Sequence, residues 1–291
     1  MSDSILRGGS AGFWGVTFMS DQYSVESVWR FTNNDCKLDI YWRKFEPSMA
    51  RRWFDKLRKI PFLRGPAIMI DMLWQGMRDS KMAIALMLFM VFGPSLIDFI
   101  VTGFNLKGSI TPPEFLKEWG DYLFYAGIAL MFGGLWMANK ELFRFHSAEH
   151  MVLNCIMAND GNIVPENLTK YSRLTMNCGS IFYIIELTIY IPMVIGLFPE
   201  KLTSPLLAML LAFGFLIIAT SLAYEIFRHD KAALLFKPLG YLVQYLIFTR
   251  KPREFHLLAA AAAAYALYRL ENNQSICDNP PNYLGKVIQR P

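Results

Sequence analysis

The stretch GSIFYIIELTIYIPMVIGLF, residues 179–198, holds a single carboxylate, Glu186, in an otherwise apolar run. A bilayer core of ~30 Å is crossed by roughly 17 to 25 helical residues, so this run has the length and composition of a transmembrane helix. Three further runs share the character: MAIALMLFMVFGPSLIDFIV (82–101), DYLFYAGIALMFGGLWMA (121–138) and SPLLAMLLAFGFLIIATSLAYEIF (204–227). Together they predict an all-α polytopic membrane protein with about four transmembrane helices. An apolar content of 54% would also suit a soluble chain, but its concentration into long runs poor in charge excludes that class.

Basic residues set the orientation, because cytoplasmic loops carry an excess of Lys and Arg. With both termini inside, the outer loops hold only Lys107, Lys117 and Lys201 of the 29 basic residues. The expectation is an integral inner (cytoplasmic) membrane protein with both termini in the cytoplasm and the lipid bilayer as its first partner. Basic juxtamembrane segments facing anionic lipid account for the net charge of +5, and no nucleic-acid motif accompanies that charge. The N-terminus has no apolar core ahead of a cleavage site, so no signal peptide is expected. The four cysteines, Cys36, Cys155, Cys178 and Cys277, all fall on the inner side and are expected as reduced thiols.

Around the spans, four regions are expected. Residues 1–47 form a cytoplasmic region whose QYSVESVWRFTNNDCKLDIYWRKF (22–45) reads as a small N-terminal β-hairpin about a turn-rich TNND. Residues 48–81 mix basic residues with Trp, Phe and Leu at helical spacing, which fits an amphipathic helix in the headgroup plane or one packed on the membrane domain. Residues 82–227 are the four-helix transmembrane domain, with a cytoplasmic loop at 139–178. Residues 228–291 hold an interrupted apolar segment (231–255) read as interfacial or re-entrant, an alanine-rich helix (256–272) and an extended tail.

The loop at 139–178 carries FRFHSAEHMVLNC, residues 143–155, with two of the four histidines. Residues four apart on a helix share a face, so His146 and His150 can ligate one metal ion. Glu149 completes H-x-x-E-H, the inverted zinc-protease order, in which the glutamate is the base that takes a proton from water. The alternative is a polar turn of an amphipathic helix. A catalytic zinc site normally takes a third protein ligand, for which Glu225, Cys178, His229 and Asp230 are candidates on the correct side of the membrane. Imidazole donors favour zinc over magnesium. Glu186 lies within a span, where a carboxylate is either functional or hydrogen-bonded between helices.

The segments RGGSAGFWGV, KIPFLRGPAIMIDMLWQGMRDS, FRFHSAEHMVLN and ENLTKYSRLTMNCGSIF resemble, in order and spacing, the YqhQ-like family of bacterial membrane proteins. That family is of unknown function and carries only a provisional label of metal-dependent enzyme. The resemblance runs from about Gly8 to the helix near Arg269, and its most specific parts are the H-x-A-E-H turn and the YSRL…CG segment. It implies a multi-span protein with His146, Glu149 and His150 intact, and with Arg173, Cys178 and Gly179 at family positions. Glu225 matches a family Tyr-Glu pair. Where the family has a glutamate near its N-terminus this chain has Trp14; where it has Tyr-Glu after the motif, this chain has Ile156 and Met157; Thr175 stands where it has a histidine. The chain therefore looks like a divergent member.

Two functions follow as expectations. In the first, a cytoplasm-facing divalent-metal site on His146, His150 and Glu225, with Glu149 as catalytic base, serves a metal-dependent hydrolase. In the second, the chain is a non-catalytic structural or assembly subunit that docks onto other membrane protein subunits.

Overall fold

The structure is a computed structural model, and it describes residues 8–32, 35–45, 56–57, 59–67, 70, 133, 139–159, 165–197, 205–276 and 284–289. The chain divides into two compact units, residues 1–49 with 136–291, and residues 50–135. In the second unit the described residues include a short helical turn at 64–67. The expected spans at 82–101 and 121–138 lie, apart from Gly133, outside the described residues, as does most of the amphipathic segment expected at 48–81.

The first unit opens with a sheet. Strands β1 (Gly8–Ala11), β2 (Gly15–Met19), β3 (Tyr23–Thr32) and β4 (Asp35–Lys44) form an antiparallel meander, and β5 (Leu284–Gln289) adds parallel to β4, giving the order β1-β2-β3-β4-β5. The β3–β4 hairpin is the one legible in the sequence, with Thr32 opposite Asp35. An all-α fold with a small hairpin is thereby corrected to a helical protein that carries a five-stranded sheet. Period-two alternation drives it: Tyr23, Val25, Ser27 and Trp29 of β3 are buried, and the residues between them are not.

Five principal helices follow: α1 (Lys140–Ala158), α2 (Gly179–Leu197), α3 (Pro205–Arg228), α4 (Lys237–Val243, prolonged by a π-helical turn Gln244–Phe248) and α5 (Glu254–Glu271). Helix α5 lies on β2 and β3 and also packs on α1. Its run of alanines explains the close fit: Ala259, Ala260 and Ala263 are fully buried, and small side chains let the backbone approach the sheet. Trp29 Nε1 donates to the carbonyl of Phe255 at 2.9 Å and fixes the entry of α5 onto β3. The core of this layer joins Val16, Phe18, Val25, Leu38 and Ile40 from the sheet to Phe145, Val152 and Leu267 from the helices. Of the tail expected to be extended, Leu284–Gln289 are therefore part of the sheet. Buried Asp39 anchors it, accepting from the Lys286 N–H at 2.7 Å and from Arg30 Nε at 2.9 Å. Gly285 leaves room for that carboxylate, since a Cβ there would fall 2.1 Å from Asp39 Oδ1.

Among the described residues, 179–197 and 210–228 are long and apolar enough to cross a membrane, matching the third and fourth expected spans. Helices α2 and α3 pack together around Ile181, Ile185 and Ala223. Glu186 is buried between them, and the Thr220 hydroxyl is shared between Glu186 Oε1 and the Leu216 carbonyl.

Candidate metal centre

Helix α1 turns Phe145, Ala148 and Val152 into the core, which leaves His146, Glu149 and His150 along one flank. The imidazoles lie against each other, tilted by 58°, with centroids 4.2 Å apart. Each has one nitrogen already engaged. His146 Nδ1 meets Glu149 Oε2 at 3.2 Å, and His150 Nδ1 donates to the carbonyl of Arg173 at 2.6 Å. Both rings thus turn Nε2 toward a common point.

Cys178 supplies that point. It precedes α2 at the end of a loop, 171–178, that folds back over α1. Two amide side chains hold the loop. Asn154 Nδ2 donates to the carbonyls of Ser172 and Leu174 at 2.8 and 3.0 Å. Gln244 Oε1 accepts from the Thr175 N–H at 3.1 Å while its Nε2 donates to the Thr175 carbonyl at 2.9 Å. Cys178 Sγ then lies 3.5 Å from His146 Nε2, and donor atoms of His146, His150 and Cys178 all fall within 4.8 Å of one another.

Electrostatics follow from this geometry. Burial opposes ionisation of Cys178, yet the neighbouring His146 and His150 outweigh it and lower the thiol to about 5. Burial likewise opposes a charge on His146, but Cys178 and Glu149 raise it to about 10. The Ser180 N–H and hydroxyl, at 3.4 and 3.2 Å from the sulfur, point the same way by donating to it.

His150 Nε2 is the exception to this pairing: it is buried and without a hydrogen-bond partner. A buried polar atom with nothing to bind costs about 1–3 kcal/mol, which makes it a candidate ligand position. The set fits a metal on further grounds. Two imidazoles and a thiolate suit zinc, and histidine ligands ordinarily donate their second nitrogen to a carboxylate or backbone carbonyl, as both do here.

The other sequence candidates stand apart from this cluster. Glu225 is half-buried on α3, His229 is exposed just beyond it, and Asp230 begins a short helical turn, Asp230–Ala233. Among the described residues the cluster of possible ligand atoms is His146, His150 and Cys178, and Glu225 is not part of it. Arg173 contributes its carbonyl, while its guanidinium sits 4.8 Å over the ring of Tyr245. Glu186 belongs to the α2–α3 contact. Thr175 is tied through its backbone to Gln244. Gly9, Asn154 and Gln244 were not singled out from sequence. The glycine pair in RGGSAGFWGV is a local signal that could have pointed to a close approach: a Cβ on Gly9 would fall 2.5 Å from Glu149 Oε1.

Residues 60–269 match the family described as Protein of unknown function (DUF1385). A Bacillus subtilis (strain 168) protein named "Uncharacterized protein YqhQ" is 25% identical over 314 residues, covering 91% of this chain and 92% of that protein. No solved structure matches the chain.

Proposed function

This chain belongs to the DUF1385 family, and we propose that it is an integral protein of the inner membrane that binds one divalent metal ion, zinc by its donor set, on the cytoplasmic side. The ligands in this reading are His146 Nε2, His150 Nε2 and Cys178 Sγ. The observation that carries it is the pair of engaged Nδ1 atoms, which leaves both Nε2 atoms facing one thiolate and one of them buried without a partner. Three protein ligands with a fourth position open are the pattern of catalytic rather than structural zinc sites. When bound, such an ion supplies Lewis acidity, which supports a hydrolytic reaction at the membrane surface.

The chain's own groups orient and insulate. Glu149 Oε2 holds the proton at His146 Nδ1 and so fixes the tautomer that presents Nε2, while the Arg173 carbonyl does the same for His150. The H-x-x-E-H pattern casts Glu149 as a base. The geometry supports an orienting role instead, because one oxygen faces His146 and the other lies under Gly9. Phe145 and Val152 exclude water from the inner flank of α1.

Elemental analysis of protein purified without chelator tests the reading. Wild type and Glu225→Gln should each carry one equivalent, and His150→Ala and Cys178→Ser should carry none. Glu149→Gln should retain the ion with affinity lowered ~10–100-fold. A metal-free wild type would sink the proposal.

A second reading, a non-catalytic subunit of a membrane assembly, is favoured by one surface. Phe13, Trp14 and Phe31 are 57%, 56% and 56% exposed on one end of the sheet, with Trp14 and Phe31 in edge contact at 5.6 Å. Aromatic clusters left in water are typical of docking surfaces. Loss of a co-purifying partner in a Trp14→Ser variant would support that role.

A further inference from the structure

Arg173 belongs to two places at once. Its carbonyl receives His150 Nδ1–H, and its side chain lines a cavity of about 360 Å³ on the neighbouring surface, shared with Lys251, Thr169, Tyr171, Met151 and Leu257. That volume is near the lower end of small-ligand sites, ~300–1,000 Å³. Two basic residues, Arg173 and Lys251, line the cavity, and among the described residues neither forms an ion pair with a carboxylate. Like charges gathered without a counter-charge repel one another, and an anion relieves that repulsion. Hydroxyl donors stand beside them. Tyr171 Oη already accepts from Asn159 Nδ2 at 2.6 Å, so its own hydrogen remains to donate. Thr169 is exposed at the rim. A guanidinium, an ammonium and two hydroxyls are the donors that recognise a phosphate.

The surroundings select among phosphates. Leu235, Leu239 and Leu242, before the π-helical turn, and Leu246 within it are 80%, 48%, 52% and 56% exposed. Tyr245, on the same turn and 55% exposed, carries the Arg173 guanidinium on its face. Next to a helix long enough to span, leucines in the open with a tyrosine and an arginine at their margin mark the depth where lipid tails give way to headgroups. A phosphate held at this cavity would have its acyl chains beside that apolar face.

We infer that the Arg173–Lys251 cavity binds the phosphate of an anionic lipid headgroup, adjoining the proposed metal site. As the substrate subsite of that site it rests on the metal reading; as a binding pocket it does not. Lipid retention by the full-length protein tests it, in detergent with chelator present, after equilibration with vesicles of phosphatidylcholine containing phosphatidic acid. Native mass spectrometry should show preferential retention of phosphatidic acid. Lys251→Gln and Arg173→Gln should each weaken it on the order of tenfold, about 1.4 kcal/mol. Lys251 is exposed, so its variant remains decisive if Arg173→Gln does not fold. Inorganic phosphate is the second probe: displacement of the lipid by phosphate assigns recognition to the phosphate group alone, and its failure assigns it to phosphate and chains together. Equal retention of both lipids, or variants that bind as wild type does, overturns the inference. Metal content measured on samples not exposed to chelator separates the two ideas, since metal without lipid preference removes only this pocket, and lipid preference without metal removes only the metal site.

Discussion

Gly9 and Glu149 are in contact through the absence of a side chain: a Cβ on Gly9 would lie 2.5 Å from Glu149 Oε1 and 3.0 Å from its Cδ. The strand thus sets the position of the carboxylate that sets the tautomer of His146. Gly9→Ala should displace the flexible carboxylate before it disturbs the sheet. The expected outcome is metal affinity reduced ~10–100-fold, by equilibrium dialysis, with a stability loss of only about 1 kcal/mol.

Acid should destabilise the first unit through His256. This ring is fully buried at the start of α5, where Nδ1 accepts from the Arg253 N–H at 3.1 Å and Nε2 donates to Glu141 at 2.8 Å. Burial lowers its pKa from 6.5 despite the neighbouring Glu141, with Arg144 acting in the same direction. The folded state therefore holds the neutral ring while the unfolded chain takes up a proton as pH falls through 6.5. Stability is full above that value and declines below it until the folded pKa is reached. Glu141 extends the decline below 4.5, because burial is outweighed by His256 and Arg144 and its pKa is lowered. Chaotrope unfolding between about pH 8 and about pH 5.5 should show this slope, and His256→Gln should flatten it.

The shared hydroxyl between α2 and α3 should register as coupling. In a double-mutant cycle of Glu186→Leu and Thr220→Val, the interaction should be about 0.6 to 1.7 kcal/mol, the range for hydrogen bonds between membrane helices. A coupling of zero in a steric-trap or chaotrope assay would mean that the two groups stand apart.

Ala263, fully buried where α5 meets the sheet, should not accept a larger side chain. Ala263→Leu should cost about 1–3 kcal/mol by overpacking, read as a lowered unfolding midpoint. Ala262 is less enclosed, and the same change there should be milder.

Much of this architecture was legible locally. Strands β3 and β4 announce themselves by alternation over ten residues each, and α2 and α3 by long runs poor in charge. The i, i+4 spacing of His146 and His150 fixed their shared face. Three things were not legible, each for a reason of range. Gly8–Ala11 holds only small residues and carries no periodic signal, so β1 exists because β2 pairs with it. Leu284–Gln289 follows a proline pair and joins β4 in parallel from the far end of the chain. Cys178 was one of several third-ligand candidates, and Glu225 was preferred because an inverted motif calls for a carboxylate downstream. What brings Cys178 beside the two imidazoles is the fold-back of loop 171–178 under Asn154 and Gln244, and such amide-to-carbonyl bonds leave no mark in composition or spacing.

The sheet has a consequence for the order in which the protein is made. Strands β1 to β4 leave the ribosome first, yet their apolar face, with Val16, Phe18 and Val25, is covered by a helix that begins at Glu254, and β5 arrives later still. The nascent N-terminal segment must wait uncovered while the intervening residues, the long apolar helices α2 and α3 among them, are translated. An uncovered apolar sheet face is prone to aggregate over that interval, and the cluster of His146, His150 and Cys178, with Gly9 beside Glu149, is completed among the last parts of the molecule.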